Sequence, residues 1–274
     1  MKTMKSKKIL LGGLLIAGIL ITTIGIAAAY GIFPPYITLD PITDPDVGDL
    51  LILSGTTNLP EGSELLVKIA EEPGESGDEF EKTNTGTLAR VLKKAEGPNQ
   101  WTAAIDTSTL RPDTYRVEVT QMTYDHVKWK IILGDTSATT YFTLTGEYLG
   151  NDPSLPERAT EDPFFRIDAV GKKHIGDQFL VTGVTNLAIG SDVIWEVDPA
   201  VAPDFPDSGT FSGMMANSEV TRGDGDDNCV SLAVDTTLLE PGEYTITVSN
   251  VVGDIYSSDF RMGDISASAE FVLT

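Results

Sequence analysis

Hydrophobic and polar residues alternate with a period of two along much of this chain. In 115–120 and 244–249, tyrosine, valine or isoleucine at every second position alternates with arginine, glutamate, threonine or serine. The apolar residues of 101–105 and 230–234 follow the same parity. A period of two puts one face of a strand against a core and the other face in water. The pattern therefore predicts β-strands, and turns such as Pro241-Gly242 separate them at the roughly 8–12-residue spacing typical of β-sandwiches.

Three sequence blocks occur twice in the same order, which indicates an internal duplication. The paired blocks are 48–59 with 176–187, 106–115 with 235–244, and 134–138 with 263–267. Their offset is 128 residues in the first pair and 129 in the other two. Further strands are predicted at 65–69 and 193–197 and, as the last strand of each copy, at 141–144 and 270–273. We therefore expect two homologous domains, at 36–147 and 163–274, joined by a linker at 148–162 that contains Pro153 and Pro156.

A proline turn followed by a tyrosine occurs in both copies. The segments read Leu110-x-Pro112-x-x-Tyr115 and Leu239-x-Pro241-x-x-Tyr244. In immunoglobulin-like sandwiches, a tyrosine near the start of a strand bonds its hydroxyl to nearby backbone and fixes a connection between the sheets. Together with the strand spacing, this predicts an all-β fold of two tandem immunoglobulin-like β-sandwiches, each with about seven antiparallel strands.

A Thr-Asn pair also occurs at the same place in both copies, as Thr57-Asn58 and Thr185-Asn186. Such side chains can bind ligands, but asparagine after a strand also shapes turns by bonding nearby backbone. We expect the second role, in which Asn58 and Asn186 order the turn between consecutive strands.

The start of the chain indicates where the protein works. Lys2, Lys5, Lys7 and Lys8 precede an uncharged, apolar run of 21 residues at 9–29, which as a helix would span about 31 Å, close to the thickness of a bilayer. Lysines stay on the cytoplasmic side, so residues 36–274 are expected outside the cell. We predict that residues 1–35 form a retained signal anchor, which makes this a single-pass protein of the cell membrane. The alternative is a signal peptide cleaved near the alanines at 27–29, which would release a secreted protein.

Charge and cysteine content narrow the possible partners. The chain carries a formal net charge of −22, and the part beyond the four N-terminal lysines carries −26. Such a surface repels phosphate backbones, so we expect no nucleic-acid partner. It attracts cations and is stabilised when salt screens its self-repulsion. Cys229 is the single cysteine, so no disulfide forms within the chain.

The residues that most enzymes depend on are scarce. His126 and His174 are the only histidines, and they lie at unrelated positions of the two copies. No histidine or cysteine spacing typical of zinc occurs, and no phosphate-binding glycine loop or Gly-x-Ser-x-Gly motif is present. We therefore expect neither enzymatic activity nor a bound organic cofactor.

One acidic stretch is a candidate calcium site. Asp224, Asp226 and Asn228 alternate as the first oxygen ligands of a calcium loop do. However, Cys229 stands where an EF-hand needs glycine, and a strand is predicted directly after it. The competing interpretation is a polar turn at the tip of a hairpin. A second acidic loop, formed by Asp40, Asp44, Asp46 and Asp49, allows the same two interpretations.

The duplicated block carries a resemblance to a known family. At 48–59 and 176–187 the chain reads G-D-x-x-x-x-x-G-x-T-N-L, followed by a short turn and an apolar strand. This pattern resembles the repeated β-domains of methanogen surface-layer-type proteins, which belong to the archaeal cell envelope. Relatives of that kind are often anchored near the C-terminus, whereas this chain is short and has no apolar C-terminal tail. This departure from the family pattern favours an accessory S-layer-associated role over a lattice-forming one.

Two functions of different classes follow from these observations. The first is a membrane-tethered cell-envelope protein, structural or interacting, whose partners are the membrane, through the N-terminal helix, and neighbouring envelope proteins. The alternative is a cell-surface receptor that binds a sugar, a peptide or a divalent cation through loops at one end of a sandwich. Nothing in the sequence indicates a specific small-molecule substrate.

Overall fold

A computed structural model describes residues 34–71, 83–125, 130–150, 162–200, 213–223, 225–252 and 261–274. Within these residues the chain is all-β, with one 3₁₀ turn at Thr236–Leu238. No helix in this part of the chain could span a membrane. The predicted anchor helix, most of the predicted linker, His126 and Asp224 lie outside the described residues.

Six strands form in the first half of the described chain and eight in the second. The first six are β1 (Leu50–Thr57), β2 (Glu64–Glu71), β3 (Thr83–Leu92), β4 (Asn99–Asp106), β5 (Thr114–Asp125) and β6 (Lys130–Thr143). The others are β7 (Phe165–Ile167), β8 (Gly171–Lys173), β9 (Gln178–Thr185), β10 (Asp192–Pro199), β11 (Met214–Glu219), β12 (Asn228–Asp235), β13 (Gly242–Val252) and β14 (Arg261–Leu273).

The strands of the first half are hydrogen-bonded in the order β1-β4-β3-β2-β5-β6. β3 pairs with β2 over most of its length and with β4 only through Val91 and Leu92. It therefore links a layer made of β1 and β4 to a layer made of β2, β5 and β6. The two layers enclose one hydrophobic cluster, which includes Trp101, Leu65 and Tyr115.

The second half forms two sheets, with the orders β12-β9-β7 and β11-β10-β13-β14-β8. Their facing sides enclose a second cluster, which includes Trp195, Val230 and Tyr244. Among the strands named above, every pairing is antiparallel except that of β8, which lies parallel to β14 from Phe271 to Leu273. The sequence-based expectation of purely antiparallel sheets is wrong at this edge, where the segment that enters the repeat runs beside its last strand in the same direction.

The two halves repeat the same strand register. β1 pairs with β4 from Leu50 opposite Asp106, and β9 pairs with β12 from Gln178 opposite Asp235. The single bridge between Ile37 and Thr57 corresponds to the pairing that opens β7 against β9. The sequence duplication is therefore also a duplication of backbone pairing.

The last strand of each copy begins earlier than its sequence predicts. β6 starts at Lys130 and β14 at Arg261, so the blocks 134–138 and 263–267 lie within strands and not in front of them. Each long hairpin contains an irregularity, after Thr120 in β5 and after Ser249 in β13. Each block contains a glycine, and a glycine inside a strand often marks such a bulge. The sequence pattern therefore does not indicate that the strand continues through the block.

Candidate functional site

The candidate calcium residues are only partly brought together. Asp226 is exposed, Asn228 is buried at the start of β12, and Asp224 lies outside the described residues. The side-chain amide of Asn228 donates to the carbonyl oxygen of Leu187 at 2.7 Å. Asn99 donates in the same way to Leu59, at 2.8 Å, in the first repeat. Asn228 therefore has a structural role shared by both copies, and calcium binding by this loop stays a prediction.

The second acidic loop uses its carboxylates as internal hydrogen-bond acceptors. Asp40 accepts from the Ser54 hydroxyl at 2.6 Å, and Asp44 accepts from the backbone N–H of Thr143 at 2.9 Å. Asp46 accepts from the Thr145 hydroxyl at 2.5 Å. Over the ranges that the structure describes, no group of three or more His, Cys, Asp or Glu side chains is arranged to hold a metal ion.

The repeated Gly-Asp motif forms a turn fixed by a buried threonine. Gly48 adopts φ 94° and Gly176 adopts φ 97°, a backbone conformation that favours glycine. The Thr107 hydroxyl accepts from the N–H of Gly48 at 3.0 Å and lies 2.8 Å from the Asp49 carbonyl oxygen, to which it donates. Thr236 makes the equivalent contacts in the second repeat, at 2.9 and 2.8 Å. The motif is therefore structural in both copies.

The repeated Thr-Asn pair holds the segment that enters each sandwich. The Asn58 carboxamide oxygen accepts from the backbone N–H of Tyr36 at 2.8 Å, and the Thr57 hydroxyl donates to the Tyr36 carbonyl at 2.5 Å. In the second repeat, Asn186 and Thr185 bond Phe164 at 3.0 and 2.6 Å. The expected structural role is thus correct, and the bonds shown here reach further along the chain than expected. The asparagines bond backbone 22 residues away, and local sequence carries no signal for that contact.

The predicted tyrosine hydrogen bonds are present in both copies. The Tyr115 hydroxyl donates to the Arg111 carbonyl at 2.8 Å, and the Tyr244 hydroxyl donates to the Glu240 carbonyl at 2.7 Å. Both rings are buried, and each stacks on a phenylalanine of the last strand, Phe142 or Phe271. Each tyrosine therefore ties the loop before its strand to the end of its sandwich.

Replacing Tyr115 by phenylalanine should lower the free energy of unfolding by about 1 kcal/mol, since one internal hydrogen bond is lost while the ring packing stays. Burial, together with the nearby charge of Glu71, raises the pKa of Tyr115 to about 12. An unfolded tyrosine ionises near pH 10, so the stability that Tyr115 contributes is complete below pH 10 and is lost as the pH rises towards 12. Urea unfolding from pH 7 to 11 should show this alkaline loss in the wild type and a smaller one in Tyr115→Phe. Equal losses would contradict the prediction.

The outer faces of β4 and β12 meet, although the alternation predicts that they face water. Ala104 and Asp235 are each only 4% exposed, and Ser231 is 6% exposed. The backbones of β4 and β12 approach within 8 Å. Such a close approach between two sheets requires small side chains, because packed sheets normally lie about 10 Å apart. Alanine and serine at these outward positions are the sequence signal that could have identified the contact.

Polar side chains form the bonds across this contact. The Ser231 hydroxyl makes a short hydrogen bond to the carboxylate of Asp106, and the hydroxyls of Ser231 and Ser108 lie 3.1 Å apart. The Thr102 hydroxyl donates to Asp235 at 3.3 Å. Each repeat thus contributes an aspartate that accepts a hydrogen bond from the other repeat.

Asp235 also organises its own repeat. Its carboxylate accepts from the backbone N–H and the hydroxyl of Thr237, at 2.9 and 2.6 Å, and from the Gln178 amide at 2.7 Å. A buried carboxylate is stable only when several donors compensate for the loss of water. The four donors around Asp235 supply this compensation and fix the 3₁₀ turn against β12.

A second set of contacts lies where the first repeat ends. Arg222 donates to Glu147 at 2.7 Å, and its backbone N–H bonds the Leu149 carbonyl at 2.7 Å. Burial raises the pKa of the Glu219 carboxyl, the charge of Asp192 raises it further, and the Arg111 guanidinium partly opposes both. Arg111 belongs to the first repeat, so its charge acts on a carboxyl group of the second.

No family model matches this chain, and no curated protein is significantly similar to it in sequence. Among solved structures, a marsupial T cell receptor matches with 10% identity and a TM-score of 0.27, over 88% of this chain and 73% of that one. Red sea bream transglutaminase matches with 10% identity and a TM-score of 0.25, over 92% of this chain and 33% of that one. Our chain therefore spans about a third of the transglutaminase. At these TM-scores, the description of the fold rests on the strands and sheets themselves.

Proposed function

We propose that this chain is a membrane-tethered protein of an archaeal cell envelope in which two immunoglobulin-like sandwiches act as structural and contact modules. The lysine-rich start and the apolar run at 9–29 support the tether. The repeated Gly-Asp, Thr-Asn and Pro-x-x-Tyr motifs support a structural role, because each of them makes hydrogen bonds inside its own sandwich.

The packing of β4 on β12 is the observation that carries this proposal. Tandem domains joined only by a linker are expected to move independently. Here residues Tyr36–Thr274 form one compact unit that contains both hydrophobic clusters. Hydrogen bonds from Ser231 to Asp106 and from Thr102 to Asp235 join the two halves directly. A joint of this kind makes the two sandwiches one stiff module, which suits a structural spacer.

The test is to locate the full-length chain in archaeal cells through a C-terminal tag. We expect the protein in the membrane fraction after alkaline washing, with the tag accessible to protease in intact cells. In a matched variant, Ile16→Arg together with Leu20→Arg, two charges in the apolar run should abolish membrane retention, since each costs about 3 kcal/mol near the bilayer centre. A wild-type chain that stays in the cytosol, or a tag that is protected, would contradict the proposal.

Chemical cross-linking on intact cells separates the proposed function from the receptor alternative. A structural protein should be linked to neighbouring envelope proteins in amounts close to its own. Capture of a soluble sugar, peptide or divalent cation without such neighbours would favour the receptor and count against the spacer.

A further inference from the structure

β6 leaves one side of its sheet open. It is the last strand in the order β1-β4-β3-β2-β5-β6 and pairs with β5 on one side. On the other side, along 137–141, no strand in the described part of the chain lies beside it. This row is accessible, since Tyr141 is 53% exposed and Ser137 and Thr139 are also exposed.

The backbone direction along this edge follows from two hydrogen bonds. The N–H of Leu144 donates to Asp113, beside β5, whereas the N–H of Thr143 points away from β5 and donates to Asp44. Backbone groups alternate in direction along a strand. Ser137, Thr139 and Tyr141 therefore present their N–H and C=O groups to the open side, and the bond to Asp44 ends the row.

The open row of this edge lacks the charged residue that its repeat counterpart has. The segment 136–143 contains no charged residue and no proline, the two devices that usually prevent edges from pairing. In β14 a charged side chain, Glu270, stands where β6 has Tyr141, and β8 covers the edge from Phe271 onward. The end of β6 is covered in the equivalent way, by the parallel bridge between Asp46 and Thr145. The two open rows therefore differ in charge, since Glu270 lies in the row of the second repeat and the row of the first repeat is uncharged.

We propose that this edge pairs with the same edge of a second copy of the chain, antiparallel and about a two-fold axis at Thr139. Thr139 then lies opposite Thr139 of the second copy, and Ser137 lies opposite Tyr141. All three residues turn their backbone groups toward the partner, which gives about six ladder hydrogen bonds. The row contains no charged residue, so no like charges meet within it, although the chain carries a net charge of −22. A second copy therefore fits this edge without the repulsion that most other approaches of two such acidic molecules would meet.

The net charge of the chain makes this pairing depend on the salt concentration. Two copies repel each other at long range, and salt at about 1 M reduces the screening length to about 3 Å. Dimer formation should therefore increase with ionic strength. The contact is small, so it corresponds to a weak, reversible dimer that is best detected by trapping.

The trapping experiment uses the full chain in detergent, in a Cys229→Ser background with Thr139→Cys. Opposed residues in a hydrogen-bonded antiparallel pair have Cα atoms about 5.5 Å apart, within the range of a disulfide. Under mild oxidation at high salt, Thr139→Cys should give at least about ten times more covalent dimer than Ser268→Cys, the same position in β14. Equal amounts of dimer from the two variants would overturn the proposal.

Two further experiments test the register and the edge itself. Ser137→Cys and Tyr141→Cys should cross-link with each other when mixed, and each should cross-link poorly with itself, because identical residues then lie about 14 Å apart. Thr139→Lys should abolish the salt-promoted dimer in sedimentation velocity, while Ser268→Lys should leave it unchanged. Self-linking that exceeds mixed linking, or a dimer that survives Thr139→Lys, would refute the pairing. These results do not depend on membrane attachment, so the proposed function can fail separately.

Discussion

Replacing Gly55 by alanine should destabilise the protein by about 3 kcal/mol, at the upper end of what overpacking costs. A Cβ atom at this position would lie 1.9 Å from the carbonyl oxygen of Thr38 and 2.8 Å from the Trp101 indole nitrogen. The first of these atoms belongs to the backbone, and the indole already donates to the same carbonyl at 3.2 Å. The entering segment would therefore have to move off β1, which would break the bonds that hold it there.

Urea unfolding of Gly55→Ala, Gly183→Ala and Gly225→Ala measures this effect with its controls. Gly183 is the equivalent glycine of the second repeat, where the added Cβ would meet the Arg166 carbonyl oxygen at 2.7 Å, so we expect a loss of about 1–2 kcal/mol. Gly225 has no atom within 4 Å of an added Cβ, and its substitution should change stability by less than about 0.5 kcal/mol. If Gly55→Ala is as stable as Gly225→Ala, the close approach of the entering segment is wrong.

The second large effect is expected at the joint between the repeats. Asp235→Ala should cost about 3 kcal/mol, because it leaves the Thr237 N–H and hydroxyl and the Gln178 amide without their acceptor in a buried site. Hydrogen exchange should quicken at the amide of Thr237 and along β4. Asp106 is less buried and accepts from the Ser108 N–H and the Ser231 hydroxyl, so Asp106→Ala should cost about 1 kcal/mol.

A double-mutant cycle separates the joint from the repeat. Thr102→Val and Asp235→Ala remove the two partners of one hydrogen bond between the repeats. Their combined effect should fall short of the sum by about 0.5 kcal/mol or more, since residues in contact do not act additively. Strict additivity would mean that Thr102 and Asp235 do not interact, and the spacer proposal would lose one of the hydrogen bonds that join the two halves directly.

The sequence identifies the residue types of the candidate site, but it does not identify the groups that each of them contacts. The sequence allows the carboxylates at 40–49 to be interpreted as a cluster of oxygen ligands or as a polar turn. In the structure, Asp40, Asp44 and Asp46 accept hydrogen bonds from serine, threonine and backbone groups. A carboxylate in a turn has the same local pattern whether it binds an ion or a distant N–H. Only the positions of Thr143 and Thr145, about a hundred residues away, distinguish the two roles in the first repeat.

Local pattern alone determined that this chain is all-β, that its strands occur twice, and that Tyr115 and Tyr244 bond the loop before them. These features depend on residues close in sequence, since strand periodicity, turn chemistry and a four-residue hydrogen bond are all short-range. Tertiary structure alone decided that β4 and β12 bury their outer faces against each other, and that the asparagines bond backbone 22 residues away. Period-two alternation identifies a face that can be buried in its own sandwich, but it says nothing about a second surface that comes to cover the other face. Small residues such as Ala104 and Ser231 permit that contact, and only the folded chain brings a partner to it.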